Sequence, residues 1–263
     1  MGQLLGKLKY QYRDFFFNTK LLSTLSVVKY YCYSYFLRRP FVTVKLNSKK
    51  LSELKIKIRC RNGVDRNVLD NVFNQQYHTT SELFLNKKNP VILDLGSNIG
   101  CTVMDFKLRY PEAIVYGYEM DIDNYNLAMT NCVRFSNVHL FNKAVWIKRG
   151  NIVYSRNNQP DAYSITNEQN SMSLSVASLS IGDIIKDNNI ARIDYLKMDI
   201  EGAELNILED ADLTWLKPVQ SFNIEFHDVQ DSMMEKYSDL LKANGFSVEK
   251  SKNHWSALIG TRS

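Results

Sequence analysis

VILDLGSNIG, residues 91–100, decides how the rest of the chain is read. Its first half is a nearly unbroken apolar run ending in glycine, the pattern of a parallel strand buried on both faces. Its second half, Gly96 to Gly100, is a glycine-bounded turn, and a helix follows over Cys101–Tyr110 until Pro111 stops it. Outward from there the alternation repeats. AIVYGYE (113–119), VHLFNKAV (138–145), IDYLKMDI (193–200) and SFNIEFH (221–227) read as strands; Asp123–Phe135, Ile181–Asn188, Ala203–Asp210 and Met233–Asn244 read as helices. FSVEK and WSALIG are expected to form a terminal antiparallel pair. This order specifies an α/β fold with a mostly parallel sheet. Residues 146–178 are polar and Ser/Asn-rich, with short β-like pieces and no helix, and read as an insertion or a substrate-side excursion.

The 263 residues are 44% hydrophobic and 23% charged with 11 Gly and 5 Pro, which excludes collagen-like, low-complexity and wholly disordered chains. Cys32, Cys60, Cys101 and Cys132 form no CxxC pair, so a zinc ribbon or dithiol redox site is excluded and a reducing compartment is expected. The net charge of +5 hides an asymmetry: residues 1–62 carry 14 Lys/Arg against Asp14 and Glu53, a balance of +12, and the remainder carries −7. Residues 1–80 are accordingly read as a basic N-terminal extension and 81–263 as the main α/β domain, with the boundary placed near residue 80 in the polar link TTSELFLNKKNP.

Within the extension, residues 21–37 are not a signal peptide, because Arg38-Arg39-Pro40 follows where a small-residue cleavage site would stand. Lys29 in mid-run opposes a membrane span. Leu21, Leu25, Val28, Cys32 and Tyr35/Phe36 recur at helical spacing, which predicts an amphipathic helix. It either docks on the protein's own core or, with six tyrosines before residue 36 and many lysines, lies at the headgroup level of an anionic membrane. FVTVKL (41–46) and LKIKIRC (54–60) read as strands and Val64–Tyr77 as a helix. The expected location is cytoplasmic, with peripheral membrane contact through residues 1–62.

Asp94-Leu95-Gly96-Ser97-Asn98-Ile99-Gly100 is not a dinucleotide turn: GxGxxG would need glycine where Asn98 stands. Asp94 would repel a pyrophosphate but suits the ammonium of S-adenosylmethionine. Glu119, ending the second strand, is placed to accept hydrogen bonds from ribose hydroxyls. Gly96, Ser97, Asn98 and Gly100 in the loop, with Met120 and Asn142, complete the expected cofactor set.

Several blocks in order resemble the FkbM-type class I S-adenosylmethionine-dependent methyltransferases. They are IRCRNGVDRNVLDNVFNQQYH (58–78), DLGSNIG (94–100), YGYEMDIDNYNLAMTN (116–131), the segment 177–208 containing KMDIEGAE, and FNIEFH (222–227). The resemblance spans residues 58–250 and leaves 1–57 uncovered. Met120 departs from it, standing where the family usually has proline. The resemblance implies a Rossmann-like fold of seven strands, with central order 3-2-1-4-5 and a terminal hairpin, and O-methylation of hydroxyl groups such as those of glycans or polyketides.

Strand alternation sets Lys197, Asp199 and Glu201 on one side, with Glu225 and His227 in matching parity on the next strand. An alcohol must lose its proton to attack a sulfonium, so His227 is the expected general base. Asp199, Glu201 and Lys197 belong to its polar cluster, though Lys197 also reads as a structural partner of the acids. Asp199 with Glu225 would either orient the base or hold Mg²⁺. Glu204 is expected to complement a helix dipole. Arg156, Asp161 and Tyr163 are the candidates if the chemistry lies elsewhere. The expected acceptor is a sugar hydroxyl of a glycan or glycolipid. The alternatives are an RNA ribose 2′-hydroxyl, toward which the basic segment points, and a non-catalytic S-adenosylmethionine-binding module.

Overall fold

The apolar run at residue 91 forms β3 (Val91–Leu95), with Ile92, Leu93, Asp94 and Leu95 fully buried. It sits at the middle of a seven-stranded sheet with β4 (Ile114–Tyr118), β5 (Val138–Phe141), β10 (Tyr195–Met198), β11 (Ser221–Glu225), β12 (Phe246–Lys250) and β13 (Ala257–Arg262). The spatial order is β12-β13-β11-β10-β3-β4-β5. β3, β4, β5, β10 and β11 are parallel, and β13 and β12 close one edge antiparallel. The parallel strands in chain order therefore stand 3-2-1-4-5, the arrangement expected for a class I methyltransferase. The chain runs out from β3 to β5 and returns to the other side of β3 at β10. Such a reversal opens a crevice at the carboxyl ends of β3 and β10, where open α/β sheets bind ligands.

The computed structural model describes residues 17–18, 20–48, 51, 53–60, 63–79, 88–156, 163–165, 173–227 and 229–262. The chain divides into two compact units, Met1–Asn74 and Gln75–Ser263. The boundary expected near residue 80 lies outside the described residues, as does Asp161.

In the larger unit, Leu93, Leu95, Leu196, Met198, Phe222 and Ile224 from adjacent strands share one core with Ile207, Trp215 and Leu241. α3 (Cys101–Arg109), α4 (Ile122–Cys132), α5 (Ile181–Asp187), α6 (Ala203–Leu208) and α7 (Asp231–Ala243) follow the strands in alternation. Their starts are encoded locally. Asp121 accepts from the Asp123 and Asn124 amides, and Ser180 with Asp183 makes a reciprocal capping box.

One expected strand divides. Residues 138–145 split at Asn142, whose amide donates to Glu119 O and Met120 O and so leaves the strand path. β6 (Ala144–Val145) then joins β7 (Gly150–Arg156), β8 (Tyr163–Ile165) and β9 (Ser173–Leu179) in a separate sheet of order β6-β9-β7-β8. The polar excursion thus supplies three strands of a four-stranded sheet, over a small core of Ala144, Ile152, Tyr154 and Val176.

In the smaller unit, α1 (Thr24–Tyr31), continued by a wider turn at Cys32–Phe36, precedes the antiparallel pair β1 (Phe41–Lys45) and β2 (Lys55–Arg59) and α2 (Gly63–Asp70). Val42, Val44, Ile56 and Ile58 point inward and the lysines outward. Buried Asp65 takes the Arg59 guanidinium at 2.6 Å and its amide at 2.7 Å. α1 buries Ser26, Val27 and Tyr30, not the expected stripe: of that stripe Leu21 is buried, while Leu25, Val28, Tyr35 and Phe36 are exposed. The reason is a polar anchor, since the Ser26 hydroxyl accepts the Lys45 amide at 2.7 Å and fixes the helix rotation. Among the described residues, no helix is long and apolar enough to cross a membrane.

Candidate active site

The loop after β3 must pass close to its neighbour. Gly96 has φ +85°, and a Cβ there would lie 1.7 Å from Asp199 O, so only glycine fits. Asn98 is also left-handed, with φ 48°. The loop's shape is held from the next strand. Glu119 accepts the Asn98 amide and the Asp121 amide, each at 2.8 Å, one on each carboxylate oxygen. Burial pushes the Glu119 carboxyl up to about 7, against the pull of those two amides.

Glu119 walls a cleft that holds about 630 Å³ of empty space, its mouth to solvent included. Gly96 and Asn98, Tyr118 and Met120, Val145 and Ile152, and Asp199 and Glu201 also line it. The lining therefore combines apolar side chains with carboxylates. Tyr118 is held in place by the Asn188 amide, which donates to its hydroxyl at 3.0 Å.

Beneath the cavity, Lys197 is almost fully buried. Its ammonium donates to Gly96 O at 2.7 Å and lies 3.2 Å from Asp199 Oδ2 and 3.5 Å from Asp94 Oδ1. Burial opposes the charge, but Asp199 and Asp94 outweigh it and hold the lysine above its ordinary pKa. Asp199 is held below the ordinary carboxylate range, because Lys197 and His227 together outweigh its burial.

Beyond β10 the chain turns through left-handed Glu201 (φ 56°) and Gly202 (φ 97°). Fully buried Glu204 clasps this turn by accepting the Ile200 amide at 2.7 Å and the Gly202 amide at 2.8 Å. The same carboxylate lies 3.1 Å from His227 Nδ1, which makes that nitrogen the donor and fixes the ring. Nε2 then faces Asp199 Oδ1 at 3.6 Å, Glu201 Oε2 at 3.7 Å and Glu225 Oε1 at 3.7 Å. Burial alone would lower the imidazole's pKa; the bond to Glu204 and the surrounding acids carry it up to about 10. Burial and the Asp199 charge push Glu225 up to about 8.

The structure brings together the expected chemical residues Lys197, Asp199, Glu201, Glu225 and His227. Of the expected cofactor set, Gly96, Asn98, Glu119 and Met120 line the cavity. The other four lie behind it. Asp94, expected to face an ammonium group of the cofactor, instead faces Lys197 and accepts the Thr102 hydroxyl at 2.5 Å, because a buried lysine needs a buried anion. Ser97 donates to Asp94 O, Gly100 begins α3 in a left-handed turn, and Asn142 braces the 119–120 backbone. Glu204 stands in the first turn of α6, as expected of a helix-dipole partner, and also braces His227. Sequence reasoning also passes over Ile152 and Val145, which reach the cavity from the second sheet, and His254, whose Nε2 is 3.5 Å from Glu225 Oε1. Beside His254 stands Trp255, 80% exposed and stacked on it at 6.1 Å.

The sequence profile described as "Methyltransferase FkbM domain" matches residues 94–248. Methyltransferase sdnD of Sordaria araneosa is 23% identical over 203 residues, covering 64% of this chain and 77% of its own. Among solved structures, the fibrillarin pre-rRNA processing protein of Methanococcus jannaschii is similar over 85% of this chain and 94% of its own, at 12% identity and a TM-score of 0.45. The precorrin-6y C5,15-methyltransferase of Geobacter metallireducens is similar over 73% and 86%, at 12% identity and a TM-score of 0.41.

Proposed function

The chain belongs to the FkbM methyltransferase domain family and is an S-adenosylmethionine-dependent methyltransferase, and we propose that it O-methylates a sugar hydroxyl of a glycan or glycolipid. The cavity suits this cofactor: Glu119 keeps a lone pair on each oxygen for a vicinal diol, and Met120, Val145 and Ile152 give an apolar wall for a base. When bound, S-adenosylmethionine supplies a methyl group activated on a sulfonium.

The observation that carries the proposal is the fixed imidazole. With Nδ1 tied to Glu204, His227 offers Nε2 alone to an acceptor. That nitrogen would take the hydroxyl proton as the acceptor oxygen receives the methyl group that the bound cofactor supplies. The neutral ring is the reactive form, so turnover rises with pH while the imidazole, with its pKa of about 10, gives up its proton. Asp199 and Glu201 then face the imidazolium formed in the step. Trp255 supports a sugar acceptor, since an exposed indole beside a polar cluster is a surface for the apolar face of a pyranose.

A second reading has one observation in its favour: one donor atom each from Asp199, Glu201 and His227 lies within 4.8 Å of the others. This trio differs from the expected Asp199–Glu225 pair; Glu225 Oε1 lies between His227 Nε2 at 3.7 Å and His254 Nε2 at 3.5 Å. Two carboxylates and an imidazole suit Mn²⁺ or Zn²⁺ better than the all-oxygen preference of Mg²⁺. Such an ion would polarise the acceptor hydroxyl there, with Glu204 fixing its histidine ligand.

The test is transfer of labelled methyl from S-adenosylmethionine to fractionated glycans, glycolipids and RNA, with and without EDTA. Label in carbohydrate through an oxygen bond, unaffected by EDTA, is the expected outcome. Label in RNA ribose refutes the acceptor, and activity that EDTA abolishes and Mn²⁺ restores favours the metal.

A further inference from the structure

Among its described residues, the smaller unit exposes an apolar stripe. Leu25 is 78% exposed, Val28 62% and Phe36 82%, and Tyr35 and Leu37 are exposed beside them. Their spacing of three and four residues puts Leu25, Val28 and Tyr35/Phe36 along one side of α1 and its continuing turn. The opposite side already serves the fold through Ser26, Val27, Tyr30 and Ser34. Among the described residues, the stripe is therefore no part of the unit's core. Single exposed apolar side chains need no explanation, but a contiguous row of them marks an interaction surface.

We propose that this stripe seats the protein on the surface of a bilayer containing anionic lipid. The choice of occupant rests on charge. Arg38 and Arg39, both exposed, follow the stripe directly, and residues 1–62 carry the balance of +12. A second copy of the chain would meet that charge with its own. RNA would satisfy the charge but leave Leu25, Val28 and Phe36 in water. An anionic bilayer answers both: headgroups take the arginines, and Tyr35 and Phe36 enter at the headgroup level, where aromatic side chains are favoured. The contact proposed is peripheral. It stands whichever acceptor the enzyme uses.

The test uses the full chain and vesicles of phosphatidylcholine with or without phosphatidylserine. The wild type should sediment with the anionic vesicles only, and less as salt is raised. Leu25→Ser/Val28→Ser/Phe36→Ser should weaken the partition about 100-fold, and Arg38→Glu/Arg39→Glu at least about tenfold, with cofactor binding unchanged in both. Phe36→Trp retains the apolar surface, and the fluorescence it adds to that of the wild type should shift blue and be quenched by brominated lipid. Equal binding by wild type and the triple variant overturns the proposal, as does an added emission in Phe36→Trp that vesicles do not move. So does an apolar stripe that holds a dimer in sedimentation equilibrium, or a basic segment that binds RNA and no vesicle.

Discussion

Glu204→Gln keeps the size of the side chain and removes its charge. Glu204 is fully buried and accepts from Ile200 N, Gly202 N and His227 Nδ1 at 2.7, 2.8 and 3.1 Å. The glutamine oxygen can still serve two donors, but its NH₂ confronts a third. A hydrogen bond to a charged group is worth about 1.5–3 kcal/mol, and one pKa unit is about 1.4 kcal/mol. The His227 pKa of about 10 should therefore fall by about one to two units, to ~8–9. Histidine ring resonances read this directly, with the His227 signal picked out of the four by a His227→Asn control. In turnover, the alkaline rise of kcat/KM should move to lower pH by the same amount, while the plateau drops as the ring loses its tether. If His227 titrates at the same pH in wild type and Glu204→Gln, the buried carboxylate does not govern the imidazole and the base assignment loses its physical support.

Lys197→Met leaves Asp94 and Asp199 facing each other without their shared cation; breaking such a buried pair costs about 3–5 kcal/mol and should lower the melting temperature by roughly 10 °C, read by circular dichroism. His227 titrates at about 10 in the fold against an ordinary 6.5, so its imidazolium stabilises the fold fully below pH 6.5 and that contribution drains away as pH rises through 10. Chemical denaturation should accordingly show wild type losing more stability than His227→Asn across that window. Trp255→Ala should raise KM for the acceptor about tenfold and leave kcat and cofactor binding near wild type, if the indole holds the sugar's apolar face.

The central sheet is legible because burial on both faces leaves a plain signature: VILDLG, the 113–119 run and 193–200 each predict a strand where one stands. The loop after β3 is legible for a related reason, since Gly96 admits no side chain and Glu119 closes a strand at the same end of the sheet. What the residues hide is direction. Asp94 and Glu119 both end buried strands, yet Asp94 points to Lys197 beneath the floor and Glu119 into the cavity wall. Sequence alternation continues past Met198, whereas β10 stops there and the left-handed turn at Glu201–Gly202 resets which way each acid points. The role of Glu204 is hidden because its work is done across 23 residues, on His227. The second sheet is veiled by the Ser/Asn content of residues 146–178, which dilutes the alternation of Ile152, Tyr154 and Val176. The stripe of α1 is visible in the sequence but not the side it faces, since periodicity identifies a face and not its neighbour.

The most direct measurement is calorimetric titration of S-adenosylhomocysteine and of NAD into wild type and Glu119→Ala. Glu119 offers a buried carboxylate to the cavity and also holds the Asn98 and Asp121 amides. S-adenosylhomocysteine should bind the wild type and NAD should not, and Glu119→Ala should weaken binding by about 1.5–3 kcal/mol while the chain stays folded. Heat from NAD and none from S-adenosylhomocysteine, or equal affinity in wild type and a folded Glu119→Ala, would contradict this cofactor assignment.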